Sequence, residues 1–183
     1  MGASVLPMVG AMEPVPGIER VDPDLQGGER EMLTQYLVYH RATIRMKCAG
    51  LNEEQLKRRA VAPSGLSLLG LVRHLTEVER NWFTRMLDGQ PYTPQYWSGD
   101  DPDGDFDDLN SMSVTEVWAS YDNAVAESRR ITASFADVAD LARGTTGRPR
   151  NVRWVLVHLI EEYARHNGHA DLLREAIDGV TGE

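Results

Sequence analysis

The run VRWVLVHLIEEYARHNGHADLLREAIDG, residues 152–179, decides the fold. Val155, Leu159, Leu173 and Ile177 recur in steps of three and four, the period of a helix with one buried face, and Gly179 stands where such a helix ends. The steps between them pass through Glu162, His166 and either His169 or Ala170, so polar groups interrupt the apolar stripe midway. At about 100° per residue, with Glu162 at 0°, His166 falls at about +40° and His169 at about −20°, and all three project from one face. A carboxylate buried beside imidazoles needs a partner, because desolvating its charge alone costs on the order of several kcal/mol.

A divalent cation meets that need. Glu162 and His166, at i and i+4, are spaced to converge on one ion. The best third ligand is His74, which lies on the apolar flank of another helix between Leu71 and Val78, where an unpaired imidazole has little reason to be. Three protein ligands leave a position open for water or substrate, as in catalytic zinc sites. The same spacing admits other readings. Glu162 could pair with Arg165 or a neighbouring arginine, with the histidines satisfied by hydrogen bonds. His166 and His169 could supply two ligands as an i,i+3 pair, or His169 could orient a ligand or bound substrate. His158, about 40° to the far side of Glu162, and His40, among the aromatic residues of the first helix, read as core or surface.

Working outward, residues 29–49 carry Leu33, Leu37, Ile44 and Cys48 at helical spacing and stop at Gly50, which gives a first helix. Asn52, Glu53, Glu54 and Gln55 read as a short capped turn before Pro63. A second helix starts at Ser64 or Ser67, runs through Leu68, Leu71, Val72, Leu75, Val78, Trp82, Phe83 and Met86, and closes at Gly89. From Asp88 to Ser113, prolines, glycines and seven aspartates predict an irregular crossover. Its aspartates resemble a calcium loop superficially, but the glutamate that closes an EF-hand loop is missing. Ser113-Val114-Thr115-Glu116 is a capping box opening a third helix, and Gly144, Gly147 and Pro149 separate it from the fourth. No hairpin chemistry is present, so the expectation is all-α, four helices packed as a bundle over residues 29–183. Residues 1–28, rich in proline and glycine without periodicity, are expected to form a flexible N-terminal arm.

Composition narrows the function. A formal charge of −9 opposes an extended nucleic-acid surface, which depends on clustered Lys and Arg. No run of 18 apolar residues and no secretory leader is found, and the single cysteine, Cys48, fits a reducing compartment, so a cytoplasmic protein without membrane partners is expected.

Four stretches carry a resemblance: Arg41-Ala42-Thr43-Ile44 with Lys47, SGLSLLGLVRHL at 64–75, VERNWF at 78–83, and EEYARHNGHADLLR at 161–174. Over about Val21 to Glu183 the chain resembles the DinB-like superfamily of metal-binding four-helix bundles, in its mini-circle-type branch. The resemblance implies an up-down-down-up bundle, for which the long crossover between the second and third helices supplies the reach. It implies a metal triad of one histidine on the second helix and two ligands four residues apart on the last. A glutamate as the earlier of that pair is similar to mycothiol-dependent maleylpyruvate isomerases, so the metal role falls on His74, Glu162 and His166.

Relatives of that kind are transferases or isomerases using a low-molecular-weight thiol such as mycothiol. The resemblance therefore implies a metal-dependent thiol S-transferase, of use in detoxification, with zinc, or else nickel, manganese or iron, activating a mycothiol-like cosubstrate that attacks an electrophilic small molecule. Arg165, Arg174 and His169 are the residues offered for contacts to the thiol or substrate, and a homodimer is a further expectation. The alternatives are a metal-dependent hydrolase and a non-catalytic metal-binding bundle in stress response.

Overall fold

Four of the six helices among the described residues begin where a side-chain oxygen accepts a hydrogen bond from an otherwise unpaired backbone N–H. The computed structural model describes residues 18–145 and 147–182. Within them the chain forms α1 (Glu29–Cys48), α2 (Glu53–Lys57), α3 (Leu68–Glu79), α4 (Gly104–Asp107), α5 (Val114–Ala133) and α6 (Val152–Asp178). Asn52 caps α2 and Ser113 caps α5, each in a reciprocal box with Gln55 or Glu116; Ser67 caps α3 and Asn151 caps α6. Gly179, at φ 78°, ends α6 in the left-handed conformation that the sequence anticipates. No strand occurs among the described residues; a lone bridge pairs Leu141 with Asn151. No described helix is long and apolar enough to cross a membrane.

Two elements depart from the sequence reading. The second helix reads as regular up to Gly89, but from Arg80 to Leu87 it continues α3 with wider π-helical turns, ending with the Asp88 N–H on the Phe83 carbonyl at 2.9 Å. The crossover reads as irregular throughout, yet its residues 104–107 coil into α4 and pack on α3. Of the expected arm, residues 1–17 lie outside the described residues. Residues 18–28 run beside α1, where Gln35 exchanges hydrogen bonds with Asp24 at 2.7 and 2.8 Å and Arg20 lies over the Tyr39 ring.

α6 packs along α1 and against α3, and α3 also packs on α5. Leu37, Ile44, Leu71, Leu75, Val117, Val155 and Leu159 fill the space between them and are buried. Each such side chain contributes about 1.5–3 kcal/mol on leaving water. The core also holds a charged pair. Arg41 donates two hydrogen bonds of 2.8 Å to the Glu79 carboxylate, Tyr163 donates to Glu79 Oε1 at 2.7 Å, and the Tyr121 hydroxyl lies 2.9 Å from that of Tyr163. Burial disfavours the Arg41 charge, but the field and hydrogen bonds of Glu79 outweigh it and raise the Arg41 pKa. The network joins α1, α3, α5 and α6 through side chains of all four.

Candidate metal centre

His74 comes from α3, and Glu162 and His166 from successive turns of α6. Because the two helices pack on one another, all three meet: Glu162 Oε2 lies 3.4 Å from His166 Nε2 and 4.0 Å from His74 Nε2, and one donor atom from each residue lies within 4.8 Å of the others. The rings of His74 and His166 meet edge to face at 4.6 Å. His166 is buried, while His74 and Glu162 are half-buried, so the cluster is closed behind and open in front.

Each of these groups is held by a neighbour. His74 turns Nδ1 to the buried Asp105 of α4, 2.8 Å from Oδ2, and stacks on Phe106 at 5.0 Å. Glu162 Oε1 faces His158 Nε2 at 3.4 Å, and the His158 ring is flanked by Trp82 at 4.3 Å and Trp154 at 5.0 Å. His166 Nδ1 lies 3.4 Å from His169 Nδ1. The His166 contact, opposed by burial and helped by the nearby charges of His158, His166 and His74, holds the Glu162 carboxyl below the usual range. Burial, then His166 and Arg165, push the His169 pKa down.

The site residues read from the sequence therefore separate. His74, Glu162, His166 and His169 come together. Arg165 is exposed and pairs with Glu161. Arg174 is buried, and its guanidinium donates to the Lys47 and Ala49 carbonyls at 3.1 and 2.7 Å and pairs with Asp178 at 2.9 Å, binding the end of α1 away from the triad. His40, at 3.1 Å, accepts through its carbonyl from the Asn167 amide, which ties α1 to α6. His158, read as core or surface, stands on the second oxygen of Glu162. Asp105, one of the crossover aspartates that superficially resemble a calcium loop, has no place in the site read from the sequence.

A cavity of about 350 Å³ touches the triad at His74, which lines it together with Asp105, Asn81, Arg85, Tyr92 and Trp97; Glu162 and His166 are not among its lining residues. A larger one, about 720 Å³, opens between α1 and α5 and reaches none of these histidines. The smaller reaches the candidate centre through His74. Two imidazole nitrogens and a carboxylate oxygen form a donor set suited to zinc and its neighbours, and separations of 3.4 and 4.0 Å fit within the span of two bonds of about 2.0–2.2 Å. The residues present thus fit a divalent ion. A second grouping, His158, Glu161 and Glu162, is weaker, because Glu161 is exposed and held by Arg165.

Compared with known protein families, the chain matches the one described as mycothiol S-transferase over residues 32–179, a span that includes every residue of the cluster. The chain belongs to the mycothiol S-transferase family. This places it in the DinB-like group of mycothiol enzymes that the motifs of α1, α3 and α6 resemble. A comparison with curated proteins returned no match.

Proposed function

We propose that this protein transfers a low-molecular-weight thiol of the mycothiol type to an electrophilic small molecule, at a divalent metal, with zinc the first choice, held by His74, Glu162 and His166. The observation that carries the reading is the convergence of these three donors, one of which, His74, lines a cavity of about 350 Å³, in a chain of the mycothiol S-transferase family. We also read α1, α3 with its π-helical extension, α5 and α6 as an up-down-down-up four-helix bundle, with the crossover after Asp88 spanning its length.

When bound, the ion would stabilise thiolate over thiol and so make a cosubstrate sulfur nucleophilic near neutral pH. The chain's own thiol is unsuited to that role, since Cys48 is buried and burial pushes its pKa up to about 12. The nucleophile is therefore the cosubstrate's. Asn81, Arg85, Tyr92 and Trp97 offer the adjoining cavity both hydrogen-bonding and aromatic surface, which suits a polar thiol. His169, 3.4 Å from His166, is the contact retained from the sequence reading. The sulfur forms a bond to the electrophilic carbon as the leaving group departs with the electrons of the bond it breaks.

The test is to incubate zinc-loaded protein with a fluorogenic alkyl halide, with and without mycothiol. The expected result is halide release and a thioether adduct only when the thiol is present. Release of halide at the same rate with water alone makes the protein a hydrolase and refutes the transferase reading.

A further inference from the structure

We propose that Asp105 is a positioning residue of this centre: its carboxylate fixes the His74 imidazole in the tautomer and orientation that present Nε2 to the ion. The inference rests on the metal reading above.

A neutral imidazole carries one N–H and one lone pair, and the hydrogen bond made by one nitrogen decides what the other can do. An ionised carboxylate only accepts. With Asp105 Oδ2 2.8 Å from His74 Nδ1, the proton of the neutral ring belongs on Nδ1, and the lone pair on Nε2 points toward Glu162 and His166. Phe106, stacked on the ring at 5.0 Å, limits its rotation.

Asp105 is itself held firmly. The Arg73 side chain donates to the Gly104 carbonyl at 2.9 Å and to that of Asp108, clamping both ends of α4 onto α3. Gly104 has no room for a side chain, since a Cβ there would lie 2.5 Å from the Tyr96 carbonyl and 2.7 Å from the Asp101 carboxylate. The buried Glu77 accepts from the Tyr92 hydroxyl at 2.6 Å and the Tyr96 N–H at 2.8 Å, which ties the crossover to the same helix.

These contacts hold the backbone and make no use of the Asp105 side chain. Arg73, close enough to feel the charge of Asp105, gives its hydrogen bonds to the Gly104 and Asp108 carbonyls and to Ser111. Asp105 Oδ1 is buried without a hydrogen-bond partner among the described residues. Burying a carboxylate is costly, and the hydrogen bond that this one makes is to His74. Outer carboxylates of this kind raise the basicity of a ligating histidine, and their loss weakens metal binding by about 10–100-fold.

Asp105→Asn, which keeps the shape, and Asp105→Ala are compared with the parent protein as full chains. Zn²⁺ affinity is measured against a competing chelator, the Co²⁺ derivative is recorded by visible absorption, and the melting temperature is taken without metal. The expected result is Zn²⁺ binding weakened by about 10–100-fold in both variants, with an altered Co²⁺ spectrum and metal-free melting within a few degrees of the parent. Unchanged Zn²⁺ affinity and an unchanged Co²⁺ spectrum would overturn the proposal and leave the metal reading standing. Weaker binding with an unchanged spectrum and an equal loss of metal-free stability would make Asp105 a packing residue. A parent protein that binds neither ion overturns the metal reading, and this proposal with it.

Discussion

Replacing Glu79 by leucine tests the charged network at the centre of the core. The variant is of similar size but leaves the Arg41 guanidinium, 6% exposed, without the carboxylate that takes two of its hydrogen bonds at 2.8 Å, and leaves the Tyr163 hydroxyl only that of Tyr121, at 2.9 Å, as a partner. Stranding one member of a buried ion pair costs about 3–5 kcal/mol. For 183 residues an unfolding entropy of about 0.4 kcal/mol/K converts this to a fall in Tm of about 8–13 °C. Removing both charges, as Arg41→Met with Glu79→Leu, takes away the desolvation penalty too. The double variant should therefore recover most of the loss, to within about 1 kcal/mol for the hydrogen bond that the Tyr163 hydroxyl no longer makes to Glu79. Calorimetry on the two single variants and the double variant closes the cycle. The reasoning is refuted if Glu79→Leu melts within about 3 °C of the parent, or if the double variant is as unstable as the worse single one.

Three further outcomes follow from the packing. Because burial pushes the Cys48 thiol from 9.0 to about 12, a disulfide reagent at neutral pH should label it only after denaturant is added. The raised pKa means that the folded state keeps a proton the unfolded chain releases. That stabilisation is complete below pH 9 and declines as pH rises toward 12, and the raised hydroxyls of Tyr121 and Tyr163 act in the same direction, so urea midpoints should fall steadily over that range. At Gly144 a Cβ would press on the Met86 carbonyl and lie 2.7 Å from that of Arg85, so Gly144→Ala should lower stability by about 1–3 kcal/mol by forcing the loop off the end of the π-helical segment; equal urea midpoints would contradict this.

How much of this was legible in the sequence depends on whether a residue's role followed from its own helix. The capped start at Asn52, the capping box at Ser113 and the glycine at Gly179 mark helix ends by local chemistry, and the structure places the ends there; of the two serines that could open the second helix, Ser64 and Ser67, the structure uses Ser67. Glu162 and His166 were legible because they break an apolar stripe, and His74 because it lies on one. The rest depends on partners far along the chain. Arg41 lies on the stripe of Leu37 and Ile44, but only Glu79, 38 residues later, explains how it can be buried there. His158 projects to the far side of Glu162 and so reads as core or surface, yet a carboxylate has two oxygens and accepts neighbours from both sides. Asp105 is one of seven aspartates in the crossover, and nothing local distinguishes it; its place comes from α4 docking on α3 through Arg73. The π-helical turns leave no mark in the residue pattern.

The central claim is that His74, Glu162 and His166 grip one ion together. Elemental analysis of the purified protein beside His74→Ala, Glu162→Ala and His166→Ala tests it most directly. The account predicts a stoichiometric divalent metal in the parent and its loss from each folded variant; parent-level metal in all three variants would contradict it.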